Sequence, residues 1–408
     1  MQPRDLLRRV LDEPSLVAAV RSLEPHALRA WVERVGLEDA GDLVALASNE
    51  QLLDLFDASL WKSEQAGGDE HFDPTRFSTW LEVLLETGEE AAARRFIEMP
   101  DELLALALHS QLLVLDSDAL FDDLARAGGR VAERVESALD ASLTLELDRY
   151  LLVSRRSDGW DALVSILTVL DRDQNQMLSG LLERCCAASA EYVDDEGGLL
   201  AVLSAAETLE ADAVADRDDR RARQGYVSPA DARAFLALAR TASADELLAQ
   251  SEPDPLTRAY FRERVTSVTP PEQEESPRAA AVSDSGERLL DELREAEILP
   301  SAQPLLAPGE QKLDVLRAAL AWLAQSNPDA HAQRMDELAY LANVLIAGAS
   351  PGARAYRPVE AVEAVIETCT AGLAHLLGGP PSEEAAALAL ERHRTDRLFL
   401  AGWRLRSG

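Results

Sequence analysis

The stretch LVAAVRSLEPHALRAWVERVGLEDAGDLVALASNEQLLDLFDASL, residues 16–60, decides the fold. Within it Leu28, Trp31, Val32 and Val35 stand at i, i+3, i+4 and i+7, and Leu43, Val44 and Ala47 repeat the spacing beside Ala40. Each set places one apolar face on a helix of about eleven residues. Pro14, Pro25, Asp39 and Asn49 restart the pattern, so four short helices are expected, over 14–23, 25–35, 39–47 and 49–60. A unit this short cannot bury its face alone and must stack on neighbours.

The same pattern continues outward. Asp73-Pro74 reads as a helix cap and first turn, with Phe77, Trp80, Leu81 and Leu84 on one face and Gly88 as the stop. Leu103, Leu104, Ala107 and Leu108 repeat the stripe after Pro100, and further helices are expected over 131–141, 161–170 and 176–190. Ser228 with Asp231, and Ser243 with Glu246, form capping patterns that open two more. We read no convincing period-2 alternation and no Asn-Gly or Asp-Gly hairpin signal.

Residues 265–286, VTSVTPPEQEESPRAAAVSDSG, lack any hydrophobic period and read as a flexible linker or exposed insertion. Beyond them Leu313, Leu316, Leu320 and Leu323 resume the helical stripe, followed by Leu338, Leu341, Ala342 and Leu345, and then by Val362, Val365, Ile366, Cys369, Leu373 and Leu376. The expectation is an all-α protein. Stacked short amphipathic helices form a superhelical, armadillo-like array over 1–264, and a C-terminal helical domain spans 287–408.

Composition narrows the function classes. Forty basic residues against seventy-three acidic ones leave a net charge of −33 on 408 residues. Such a chain is a poor ligand for phosphate backbones and is repelled by anionic membrane surfaces. No apolar run approaches the ~20 residues that span a bilayer, so no membrane insertion is expected. The three cysteines, 185, 186 and 369, make no disulfide framework, in keeping with a cytoplasmic location. Lysine occurs only at 62 and 312, outside any phosphate-loop or Schiff-base context.

The chemistry-bearing residues offer little. Glu191, Asp194, Asp195 and Glu196, before Gly197-Gly198, are the densest short carboxylate group and the one candidate for a weak divalent-cation site; the plainer reading is a solvated acidic loop. Asp171, Asp173 and Asn175 open like a calcium loop, but Gln176 and Leu182 occupy the positions that need Gly and Glu. The six histidines form no HExxH pair; only His71 has carboxylates nearby, Glu70 and Asp73. Cys185 and Cys369 continue apolar stripes as small hydrophobes, and Cys186 falls one step off. Arg217, Arg220, Arg221 and Arg223 alternate with aspartates and should pair internally. The C-terminal Arg392, Arg394, Arg397, Arg404 and Arg406 could dock on the acidic body, another copy or an anionic partner. Trp31 and Trp80 belong to core stripes, whereas Trp61 and Trp403 lie near helix ends, where an indole can anchor a partner. No catalytic residue and no cofactor site is read.

Two resemblances accompany these patterns. Leu23-Glu24-Pro25, Leu37-Glu38-Asp39-Ala40 and residues 46–52, LASNEQL, resemble the helical superhelix of bacterial magnesium-channel and flagellar motor-switch proteins. That likeness implies an architecture used for regulation or assembly. Residues 55–61 (LFDASLW), 77–85 (FSTWLEVLL), 223–228 (RQGYVS) and 396–403 (DRLFLAGW) together resemble an uncharacterised bacterial family, helical throughout and without an assigned activity. The expected role is a non-catalytic module for protein–protein interaction or assembly, with protein partners that can include a second copy. A regulatory module sensing divalent cation, and an enzyme with an unrecognised site, are the alternatives.

Overall fold

The computed structural model describes residues 16–190 (except 66 and 128), 205–267, most of 289–299, and 315–407 except 353. Helices α1 (Leu16–Arg21), α2 (Pro25–Val35), α3 (Gly41–Leu46) and α4 (Asn49–Ser59) fall where the periodicity places them, with a single 3-10 turn, Leu37–Asp39, inserted after Gly36. Ser48 shows how the ladder is joined. Its hydroxyl accepts from the Gln51 amide while its own amide donates to Gln51 Oε1. The buried Gln51 amide group then donates to the Val20 and Leu23 carbonyls at 2.8 and 2.7 Å, tying the start of α4 to the end of α1.

A two-stranded ribbon, β1 (Trp61–Ser63) and β2 (Glu70–Phe72), precedes α5 (Pro74–Leu85), α6 (Glu89–Ile97) and α7 (Asp101–Gln111). Asp73 caps α5 by accepting from Thr75 and Arg76. Burial works against its charge, but those amides and Lys62 hold its carboxyl below the usual carboxylate range. Strands β3 (Leu112–Asp116), β4 (Thr144–Leu147) and β5 (Tyr150–Ser154) make an antiparallel sheet of order β3-β5-β4, with Val114 opposite Leu152 and Leu145 also opposite Leu152. This sheet and the β1–β2 ribbon depart from the expected helices. LLVLD and YLLVS are near-continuous apolar runs without alternation, and so they escape a period-2 search. The β4–β5 turn uses Asp148 at φ +50°, a conformation Asp tolerates, where a search for Asp-Gly finds nothing.

Between β3 and β4 the chain forms α8 (Ser117–Ala127) and α9 (Gly129–Asp140); after β5 come α10 (Trp160–Asp173), α11 (Asn175–Ala190) and α12 (Ala205–Arg223). The rest is α13 (Pro229–Leu238), α14 (Ala244–Ala249), α15 (Pro255–Ser267), α16 (Val315–Ser326), α17 (Pro328–Gly348), α18 (Pro358–Leu376), α19 (Glu383–Arg392) and α20 (Thr395–Ser407). Contacts divide the described residues into two units. One takes residues up to 62, His71–Arg217, and 289–299. The other takes Ser63–Glu70, residues 218–267, and those from 315 onward.

Each unit has its own core. In the first, Trp31 and Trp80 are fully buried, Phe56 meets Trp80 edge-on at 4.7 Å, and the Trp80 indole donates to Ser59. Leu289, Leu293 and Leu299 add to this core from far along the chain. In the second, Phe235, Tyr260, Phe261, Tyr340 and Phe399 form a connected aromatic cluster. Helices α18 and α20 cross there at two glycines. A Cβ on Gly372 would stand 2.8 Å from the Leu398 carbonyl carbon, and one on Gly402 would stand 2.9 Å from that of Thr368. Only glycine lets these backbones approach so closely.

Candidate interaction surface

The feature of the first unit that its own core does not explain is the α8–α9 hairpin. Asp116, at the end of β3, accepts from the Ala119 amide and starts α8, and Ser117 N donates to the Arg149 carbonyl, so the hairpin is rooted in the sheet. On α8, Leu120, Phe121 and Leu124 lie along one side; on α9, Val131, Val135, Ala138 and Leu139 do the same at i, i+4, i+7 and i+8. A pattern this one-sided normally marks a core-facing helix. Here no described side chain of either helix is fully buried. Leu120, Leu124, Val135 and Leu139 are half-buried, Phe121 is 68% exposed and Val131 38%.

Charges of both signs flank the apolar sides: Arg126, Arg130 and Arg134 lie toward the tip together with Asp123 and Glu133, while Asp118, Glu136 and Asp140 lie toward the base. Arg126 pairs with Asp122 and Asp123 on its own helix at 3.5 and 3.1 Å. All three side chains are about three-quarters exposed, so these pairs contribute little.

The second unit holds a different kind of polar site. Glu337 on α17 is buried and accepts from the Thr395 amide and hydroxyl at 2.8 and 2.6 Å, while Arg334 and Arg394 pair with it. Arg394 also reaches the fully buried Asp396 at 2.9 Å. Burial raises the Asp396 pKa against the pull of Arg394. This network ties α17 to the start of α20, and a cleft of about 270 Å³ lined by Thr257, Arg258, Gln333 and Arg394 opens beside it. A second cleft, about 250 Å³, is lined by Asp219, Asp231, Tyr226, Tyr260 and Tyr340. Two of its polar groups are engaged: Tyr260 donates to the Gly225 carbonyl at 3.0 Å, and Asp231 accepts from Ser228. Tyr340 is buried, and burial pushes its hydroxyl pKa well above the ordinary value although Thr257 bonds to it.

The residues singled out in the sequence fare unevenly. Glu191, Asp194, Asp195 and Glu196 lie outside the described residues, as does nearly all of 265–286. Among the described residues no group of three or more His, Cys, Asp or Glu is arranged to hold a metal. The Asp171–Asn175 segment is no calcium loop, since α10 runs through Asp173 and α11 starts at Asn175. His71 meets Glu210 at 3.1 Å, a residue 139 positions away. Cys185 and Cys369 are buried, and burial pushes the Cys185 thiol up to about 12.

The arginine and tryptophan readings shift more. Arg217 is buried, donates to the Asp57 carbonyl at 2.8 Å and lies over the Trp61 ring at 4.8 Å. Trp61 is therefore a core residue and no anchor, while Trp403 stacks on Phe399. Arg397 is buried and donates to the Glu252 carbonyl, whereas Arg406 stays exposed and pairs with Glu367. The hairpin face was missed because periodicity reveals that a stripe exists and says nothing of what covers it.

Fold and surface define an all-α protein of stacked helices. Residues 1–196, which include the hairpin, match the model of a family of unknown function (DUF6178), in line with the resemblance to an uncharacterised family. No curated protein and no solved structure matches the chain. Among the described residues no helix is long and apolar enough to cross a membrane.

Proposed function

We propose that this chain is a non-catalytic module for protein–protein interaction, and that the α8–α9 hairpin is its docking face. The observation that carries the reading is a pair of strongly one-sided helices without a single fully buried described side chain. Amphipathic helices reach full stability by covering their apolar side, and a partner protein can supply that cover. Phe121 is the natural anchor, since aromatic side chains dominate binding energy when a partner excludes water around them.

The test compares wild type with Phe121→Asp/Val131→Asp in tagged capture from native extract at low and moderate salt, with a Trp322→Ala variant as an exposed control in the other unit. The reading expects a stoichiometric protein held by wild type and by the control and lost from the hairpin variant. Equal retention by all three proteins, or none by any, refutes it.

A further inference from the structure

We infer that the cleft beside the Glu337 network binds a free α-amino acid with an apolar side chain. This site lies wholly in the second unit, so it stands or falls apart from the hairpin. Three elements wall the cleft. Helix α15 contributes Arg258 and Phe261; α17 contributes Gln333, Asp336 and Glu337, whose i, i+3, i+4 spacing puts them on one side; and Arg394 stands just ahead of α20.

Some of these polar groups are already spent. Glu337 is taken by Arg334, Arg394 and Thr395, and the Thr257 hydroxyl donates to Asp254. Others are not. Arg394 is held on two sides, its Nε by Asp396 and its Nη1 by Glu337, while Nη2 has no hydrogen-bond partner among the described residues. Arg258 is loosely engaged, by the Pro253 carbonyl at 3.2 Å and by Glu252 at 3.9 Å, and both side chains of that ion pair are more than half exposed. Gln333 and Asp336 are exposed, and neither has a hydrogen-bond or ion-pair partner among the described residues. The groups left to a ligand are thus two guanidiniums, one carboxylate and one amide, beside Pro253 and the Phe261 ring.

That set fits a zwitterion. A ligand carboxylate is bound by Arg394 and Arg258 through charge-assisted hydrogen bonds, and the ammonium on the adjoining carbon is bound by Asp336. Because Glu337 and Asp396 already fix Arg394, little ordering remains to be done at that end of the site. Pro253 and Phe261 offer an apolar wall to an aliphatic or aromatic side chain. The cleft, about 270 Å³, falls below the ~300–1,000 Å³ of drug-sized sites and suits a molecule as small as an amino acid. A phosphate or a dicarboxylate fits less well. Asp336 repels it within the cleft and the net charge of −33 repels it from outside, whereas a zwitterion carries no net charge.

The experiment is isothermal titration calorimetry of the full chain with L-leucine, L-methionine and L-phenylalanine, each up to millimolar concentration. For the tightest of them, the analogue without the amino group and the analogue without the carboxylate are titrated beside it (4-methylpentanoate and 3-methylbutylamine for leucine), together with inorganic phosphate. Expected is one site per chain for at least one amino acid, with both analogues and phosphate weaker by at least about tenfold. Arg258→Ala and Asp336→Ala should each weaken the amino acid at least about tenfold, as loss of a charged hydrogen-bond partner does. Both positions are exposed, and circular dichroism checks that each variant folds. Asp336→Ala should bind the deaminated analogue no more weakly than wild type does, which separates a lost ammonium contact from a distorted cleft. No saturable binding of any of the three amino acids, variants that bind like wild type, or an analogue or phosphate as tight as the amino acid would each overturn the inference.

Discussion

Replacing Gly402 by Ala tests the packing of the second unit where it is tightest. The added methyl would stand 2.9 Å from the Thr368 carbonyl carbon and 3.0 Å from the Gly372 amide nitrogen, and would overlap the Thr368 carbonyl oxygen. All three are backbone atoms, so no side chain can swing aside. Carbon atoms rest about 3.5–4.0 Å apart, so α18 and α20 must separate by roughly 0.6 Å or more, and a gap of ~0.5–1 Å forfeits a quarter to a half of each contact across the seam. That seam includes Val365, Cys369, Leu373, Leu398 and Phe399, all buried. Overpacking costs about 1–3 kcal/mol, at the upper end here because backbone blocks relaxation. The better helix propensity of Ala returns about 1 kcal/mol. The net is ~2 kcal/mol of destabilisation, a fall in Tm of about 4–8 °C for the unit concerned. Gly180, exposed within α11 with nothing within 4 Å of its added Cβ, is the control: the same substitution there should stabilise by up to ~1 kcal/mol. Scanning calorimetry and urea unfolding read both. A Gly402→Ala protein as stable as wild type would refute the close crossing.

Three further outcomes follow from the buried polar groups and the caps. Glu337→Gln should destabilise by about 3–5 kcal/mol in urea unfolding, because it leaves Arg334 buried without a counter-charge, and a cost below ~1 kcal/mol would refute that. At mildly alkaline pH a thiol reagent should modify half-buried Cys186 in the folded chain and reach Cys185 and Cys369 only on unfolding, since both are buried; quantification by mass spectrometry decides it. The Arg354 guanidinium holds Glu360 at about 2 instead of 4.5, so its stabilisation is complete above pH 4.5 and is lost as pH falls through 2. The Tm difference between wild type and Glu360→Gln should therefore shrink across that acid range, and a constant difference would count against the pair.

Much of the fold was legible because its signals are local. The i, i+3, i+4, i+7 spacing of Leu28, Trp31, Val32 and Val35 places α2 at its observed bounds, and Ser48, Asp73, Ser228 and Ser243 all cap helices in the structure. The β3-β5-β4 sheet was not read, because LLVLD and YLLVS are near-continuous apolar runs that periodicity cannot tell from buried helix, and the alternation of residues 142–147, SLTLEL, was passed over as too short. Arg217 shows what a local reading leaves out. Asp216 and Asp218 flank Arg217 in sequence, yet neighbours one residue apart on a helix do not face each other, and α12 turns Arg217 toward Trp61 and the Asp57 carbonyl.

The sequence by itself determined that this chain is helical, where most helices start and stop, and which side of each is apolar. Those properties depend on backbone torsions, capping groups and side-chain spacing within one or two turns. Which apolar side is covered is a property of distant contacts, and only the tertiary structure decided it. The stripes of α2 and α5 close over a core, the glycines of α18 and α20 meet because their helices cross there, and the equally regular stripe of α9 is left without full cover. Two stripes can be identical in period and opposite in fate, because burial depends on what the rest of the chain brings to them.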